Sequence, residues 1–370
     1  MLDYTWQTSF YGRGVLGMPL IEIDGSEGGG QIVRTALALS TLLNKPFKVT
    51  NIRKARPTPG LKNQHLYCIK ALQQLCNAKV DGAELGSETL LYVPNKISAS
   101  KIKVDIKTAG SITLLLQSLL LPSMLSEKKN KIEVIGGTDV KWSPQIDYLK
   151  EITIPQIKNY AEKIELETEK RGYYPKGNGK ITLKIKPKYD IENISKAKKI
   201  NLTEQGELIQ IKGISHASID LQKAEVAERQ ARSAKVGLSH LKVPISITTN
   251  YSETASTGSG ITLIAVFSRD TGFLEPIRLG SDQLGEKGMP AEEVGKQASI
   301  NLLKEIESKA AVDKHAADNL IPLLALIPGS QIKTSEITDH TLKNIYVVEK
   351  FLGKIFEVED NTIKSINKQA

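Results

Sequence analysis

Three groups of residues in this chain could do phosphate chemistry. The first is Asp24-Gly-Ser-Glu-Gly-Gly-Gly-Gln31, a glycine-rich turn between a short apolar segment and a helical pattern. Successive backbone N–H groups at a helix start favour an anion. Glu27 sits inside that turn, and a carboxylate beside a phosphate is repulsive unless a divalent cation lies between them. A metal-bound triphosphate, with Mg²⁺ or Mn²⁺ on oxygen ligands, therefore fits. A plain turn whose Glu answers the helix dipole fits as well. No Gly-Lys-Ser/Thr follows, so this is not a Walker A loop.

The second group is Arg53, Lys54, Arg56 and Lys62, in one short loop shaped by Pro57, Pro59 and Gly60. Guanidinium groups read phosphate through paired hydrogen bonds. A solvated basic face is the competing reading. Arg34 lies one helical turn beyond the glycines.

The third is a histidine. Of His65, His216, His240, His315 and His340, the last follows a strand pattern and opens a helix in Thr338-Asp-His-Thr-Leu-Lys-Asn344. A neutral imidazole can attack phosphorus and leave again, so it can carry a nucleotidyl group. A strand-end histidine can also be merely structural. His216 and His240 suggest no role.

The elements that must position these groups recur. Residues 27–51, 109–136 and 313–337 each run turn, helix, strand, with helical apolar spacing such as Ile32, Ala36, Leu39 and Leu43. A second helix is expected after each, over 59–75, 144–163 and 340–351. Paired strands close the first two copies, at 78–80 with 90–93 and 164–167 with 180–185. The unit reads β-α-β-α-β-β, which places the chain in the α/β (α+β) class. The copies begin at 27, 109 and 313, so the second interval holds about 120 extra residues, the size of a small domain. The expected layout is a leading extension over 1–17, a repeat-built catalytic domain over 18–187 and 309–370, and an inserted α/β domain over 188–308. The insert should hold strands at 208–214, 245–249 and 260–267 and helices at 222–236 and 291–308.

The blocks EGGGQIVR (27–34), IRKARPTPGLKNQH (52–65), AGSITLLLQ (109–117), GGTDVKWSP (136–144), LGEKGMPAEEVG (284–295), DKHAADNL (313–320) and DHTLKN (339–344) resemble, in order, those of the RNA 3′-terminal phosphate cyclase family. The resemblance implies repeated units like those of translation initiation factor C-terminal domains, with one insertion. It implies an ATP-dependent, ligase-type enzyme. A histidine takes AMP from ATP, releasing pyrophosphate, and passes it to an RNA 3′-phosphate. The 2′-hydroxyl then closes a 2′,3′-cyclic phosphate and expels AMP.

Position by position, the resemblance makes His340 the AMP-accepting residue and Glu27 the metal ligand. Arg34, Gln117, Pro144, His315 and Asp318 fall in the nucleotide site, with Pro144 and His315 on either side of the adenine. Some relatives have Tyr where this chain has His315. Arg53, Arg56, Gln64 and His65 belong with the substrate phosphate. A non-catalytic branch of the family assists ribosome assembly but lacks the histidine and several arginines, which are present here. Enolpyruvyl-transfer enzymes use related units, but six of them and uninterrupted.

The bulk properties agree. The chain has 370 residues, 40% hydrophobic and 25% charged, an ordinary globular mix. A net charge of +9 suits a polyanionic partner such as RNA with a 3′-phosphate. With 5% aromatic residues and no stacking motif, RNA contact is expected to be local and through phosphates. Cys68 and Cys76, eight apart, read as core positions, with no zinc spacing. Neither a leader pattern nor a membrane-length apolar run is present, and a cytoplasmic location is expected.

Overall fold

The structure, a computed structural model, describes residues 19–26, 28–269 and 275–366. The leading segment and Glu27 thus lie outside the described residues. The described residues form a mixed α/β protein with four small mixed sheets.

The first sheet has the order β1-β2-β4-β3, from β1 (Ile21–Asp24), β2 (Phe47–Thr50), β3 (Lys79–Asp81) and β4 (Leu90–Val93). β1 and β2 are parallel, so a crossover must join them, and α1 (Gly30–Leu43) does so. α2 (Asn63–Cys76) precedes β3. Asn44 and Asn77, both in the left-handed region, end α1 and α2 by turning their N–H groups back onto Ser40 and Gln73.

The second sheet has the order β5-β6-β8-β7, from β5 (Lys101–Asp105), β6 (Asn130–Gly136), β7 (Ala161–Lys170) and β8 (Gly179–Pro187). α3 (Ile112–Met124) crosses between its parallel strands, capped by the Ser111 hydroxyl on the Leu114 N–H. The helix expected over 144–163 is shorter and broken. α4 spans 146–157 and contains a π-helical stretch, Leu149–Thr153. Pro155 lacks the N–H that a regular turn needs there, and the chain is already strand by Ala161.

β9 (Asn201–Leu202), β14 (Gln331–Lys333), β15 (Phe356–Glu359) and β16 (Thr362–Ser365) form the third sheet, of order β9-β14-β16-β15. Residues 201–202, expected within the insert, thus pair in parallel with β14. α7 (Lys314–Leu326) and α8 (Asp339–Leu352) flank β14. Asp313 caps α7 and Thr338 caps α8.

The fourth sheet, order β11-β10-β12-β13, is made of β10 (Glu207–Ser218), β11 (Ile245–Ser252), β12 (Ser259–Ser268) and β13 (Ile277–Leu284), with α5 (Val226–Leu238) and α6 (Ala291–Glu307) packed on it. The helix expected from 222 starts later, because Glu225 adopts φ 50 between a 3₁₀ turn and α5. β13 was not expected, since IRLGSDQL lacks a clear apolar alternation. Its Gly280 lies where a β-carbon would meet Tyr148 and Ile152 at 2.7 Å.

Two apolar cores result. One runs from Ile23 to Ile363, and a separate one has its fully buried members between Ile211 and Ala311. α1 buries more than the apolar positions Ile32, Ala36 and Leu39 that its spacing marked. It is buried from Gln31 through Leu42, because α2, α3 and α8 all pack against it. Cys68 and Cys76 are buried free thiols. No helix of the described residues is long and apolar enough to cross a membrane.

Candidate active site

α1 and α8 face each other through residues four apart. On α1 these are Gln31 and Thr35, and on α8 they are His340 and Asn344. The Thr35 hydroxyl donates to Asn344 Oδ1 at 2.7 Å. Gln31 Nε2 donates to the His340 carbonyl at 3.1 Å, which leaves its Oε1 against His340 Nδ1. An amide oxygen only accepts, so Nδ1 carries the proton and Nε2 keeps its lone pair. Burial, and then Arg34, hold the imidazole below its ordinary pKa, although Asp318 pulls the other way. His340 is thus a neutral imidazole with a fixed tautomer, in the first turn of a helix.

Asp318, from α7, fixes that turn. Its Oδ1 accepts from the hydroxyls of Thr338 (2.9 Å) and Thr341 (2.6 Å), and its carbonyl accepts from Asn344 Nδ2 (2.6 Å). Burial raises its pKa, against the lowering effect of those two hydroxyls.

His340 opens on a cavity of about 320 Å³. Arg34, Gln117, Pro144, His315 and Asp318, the residues expected at the nucleotide, all line it together with His340. Among the lining side chains that were not anticipated, Gln31, Tyr148, Asp282 and Asn344 carry specific contacts. Tyr148 donates its hydroxyl to Asp313, the α7 cap, and stands edge-on to His315 with ring centroids 6.4 Å apart. Asp282 comes from the fourth sheet. It accepts the Gln145 N–H at 2.7 Å, and burial pushes its pKa up to about 6. None of these four carried a local signal, since each depends on a partner far along the chain.

Arg34 is buried, and its Nε has no hydrogen-bond partner among the described residues. Burial lowers its pKa. No carboxylate among the described residues pairs with Arg34, a costly state for a buried guanidinium that an anion in the cavity would relieve.

Arg53, Arg56, Gln64 and His65 do not line this cavity. Arg53, Arg56 and His65 gather at the glycine turn instead. The arginine loop is tied to the turn by Arg53 N–H to the Gly25 carbonyl (3.3 Å) and Ala55 N–H to the Ser26 carbonyl (3.2 Å). Arg53 sits at φ 56 and donates Nη1 to the carbonyls of Thr58 and Gly60, so it also holds its own loop together. Arg56 lies beside Gly29. A β-carbon on Gly30 would sit 1.9 Å from His65 Nε2, so only glycine admits that ring. His65 Nδ1 accepts the Lys62 N–H at 2.9 Å, leaving Nε2–H facing the turn. Burial, with Arg34, Arg53 and Lys62 nearby, depresses its pKa to about 3. Gln64 instead reaches the Ser111 carbonyl at 2.9 Å, beside the start of α3.

The turn itself is shaped by Asp24. Its carboxylate accepts from the Ser26 N–H and hydroxyl, each at 3.0 Å, and from Asn51 Nδ2 at 3.1 Å. Those bonds, Ser26 first, hold its pKa low. The Asp24 N–H donates to the Tyr346 hydroxyl of α8 at 3.1 Å, tying turn and histidine helix together.

His216, given no role, is fully buried against Tyr173 (2.8 Å) and Gln145 (2.7 Å). With Asp139 and Asp147 it forms the one cluster of metal-ligand type among the described residues. Arg171, however, bonds both carboxylates there, at 3.1 and 2.5 Å.

The sequence pattern described as RNA 3′-terminal phosphate cyclase matches residues 25–358. The Pyrococcus furiosus protein of that name is 45% identical over 342 residues, covering 92% of this chain and 95% of its own length. The Methanosarcina acetivorans protein is 42% identical over 363 residues, covering 92% and 97%. The Archaeoglobus fulgidus protein is 40% identical over 347 residues, covering 93% and 99%. With near-complete coverage on both sides and His340 set against a cation-bearing cavity, this chain belongs to the RNA 3′-terminal phosphate cyclase family.

Proposed function

We propose that this enzyme converts an RNA 3′-terminal phosphate to a 2′,3′-cyclic phosphate, using ATP and a His340–AMP intermediate. The observation that carries the reading is the pairing of a neutral, Nε2-nucleophilic His340 with the buried cation Arg34, whose Nε has no partner among the described residues, in one cavity.

In this reading, His340 Nε2 attacks the α-phosphorus, forming a P–N bond as the bond to pyrophosphate breaks. Arg34 and the N-terminus of α8 offset the charge that develops. An oxygen of the RNA 3′-phosphate then displaces the histidine, giving an anhydride. The adjacent 2′-hydroxyl attacks the 3′-phosphorus, loses its proton and expels AMP, with proximity favouring the ring. Pro144 and His315 flank the adenine, and Gln117 and Asp318 complete the nucleotide site. Arg53, Arg56, Gln64 and His65 hold the RNA phosphate, and His65 Nε2–H is a neutral donor for it. Mg²⁺ or Mn²⁺ would be held by Glu27, a hard oxygen donor, and would supply charge neutralisation at the triphosphate.

We read the first three sheets, which share one strand order, as copies of a single β-α-β-α-β-β unit like those of initiation factor C-terminal domains. The fourth sheet and its two helices form the inserted domain. The enzyme acts in the cytoplasm.

Incubation with α-labelled ATP and a divalent metal should leave label on the protein, labile to acid and stable to alkali. His340→Ala should abolish it. Full labelling of that variant would overturn the assignment.

A further inference from the structure

Three loops beside the cavity are strapped into one surface. Gly137 N–H donates to the Gly110 carbonyl at 2.8 Å, and Thr138 N–H to the Gly172 carbonyl at 2.9 Å. Asp139 and Tyr173 form a β-bridge. Gly177 sits so close to the 108–109 backbone that a β-carbon would lie 2.7 Å from the Thr108 carbonyl oxygen.

What these loops turn outward is unusual. Trp142 is 94% exposed and Tyr174 76%, the two most exposed aromatic side chains among the described residues. Lys107, Lys141 and Lys176, from the same three loops, are also exposed. Trp142 is held at φ 68, a conformation that bulky residues rarely adopt. Its neighbours keep it there: the Ser143 hydroxyl bonds the Val140 carbonyl at 2.9 Å, and Lys141 pairs with Glu286 at 2.8 Å. Packing does not explain this ring, since almost none of it is buried. Trp142 nonetheless lines the cavity that contains His340, so the surface is continuous with the reaction site.

We infer that Trp142 and Tyr174, set among Lys107, Lys141 and Lys176, form a stacking platform for unpaired nucleobases of the RNA strand leading to the reacting 3′ end. The inference rests on the cyclase reading for the identity of that strand. Aromatic faces take any base, and lysines follow the phosphates, the combination that single-stranded nucleic acid needs. An apolar protein partner fits less well, because the same three loops carry exposed lysines beside the two rings. This extends the expectation of contact through phosphates alone. Two rings from separate loops make no linear motif, so only the strapping of the loops reveals them.

The chain has two tryptophans, so Trp6→Phe leaves Trp142 as the sole one. Its fluorescence is followed in three titrations. The first uses a single-stranded oligonucleotide with a 3′-phosphate, without ATP. The second uses the same strand with abasic terminal positions. The third uses ATP and metal without RNA. The expected result is quenching by the first titrant and little by the others. In the wild-type background, Trp142→Ala and Tyr174→Ala should each weaken oligonucleotide binding roughly tenfold by anisotropy, with Trp142→Phe retaining most of it. Saturated RNA binding without quenching, equal quenching by ATP alone, or wild-type affinity in both alanine variants would each overturn the platform. Because binding is read without ATP, failure of His340 to take up AMP would leave this test intact.

Discussion

One amide joins Gln31 to His340 twice, its nitrogen donating to the histidine carbonyl and its oxygen facing Nδ1. Helix position and ring tautomer are therefore set by the same side chain. Gln31→Ala should slow adenylate uptake by on the order of a hundredfold, because the ring is freed to turn and to change tautomer. Gln31→Glu keeps an acceptor at Nδ1 but adds negative charge. It should raise the imidazole pKa and move the acid limb of the labelling rate to higher pH. An unchanged pH profile in that variant would remove Gln31 from its positioning role.

The wild-type profile has a defined sign. Only neutral His340 attacks, and its pKa is depressed by burial. Labelling should therefore hold its plateau below the ordinary histidine value of about 6.5 before falling with acid. A midpoint above that value, in single-turnover labelling across pH, would contradict the buried neutral ring.

Arg34 trades stability for anion binding. Arg34→Met removes a buried cation whose Nε has no partner among the described residues. The unliganded protein should become more stable, by about 1–4 kcal/mol in chemical denaturation, while ATP-dependent labelling is lost. Loss of both together would mean that the guanidinium is structurally paired.

His65 makes stability pH-dependent. Its folded pKa, about 3, lies below the unfolded value. Below about 6.5 the unfolded chain binds a proton that the folded chain refuses, so stability falls toward pH 3 by up to about 1.4 kcal/mol per unit. Asp282 (about 6) and Glu305 (about 7) work in the opposite sense, because their raised values favour the folded state at acid pH. The His65 effect is thus read as a difference. The stability advantage of wild type over His65→Asn should shrink as pH falls from about 6.5. A constant difference would place the ring in solvent.

Arg171 sits between two buried carboxylates, Asp139 and Asp147. Burial disfavours its charge, but the two carboxylates outweigh that and raise its pKa. Arg171→Met should cost about 3–5 kcal/mol, measured by denaturant melts, since it leaves both anions unpaired in the interior. A cost below about 1 kcal/mol would mean that the pair protonates freely or is hydrated.

Much of this was legible along the chain because it is local. A glycine run after a strand and a histidine that opens a helix depend on neighbours a few residues away. Helix periods likewise marked α6 and α8 to within two residues at each end. The tertiary structure alone decided what those elements face. Gln31 and His340 are 309 positions apart, and no local preference links them; packing of α1 on α8 does. Asp282 reaches the cavity because the fourth sheet lies against α4, and Trp142 is presented because three distant loops share backbone bonds. Local sterics write the elements into the sequence, whereas long-range packing and desolvation set which side chains meet and which nitrogen keeps its proton.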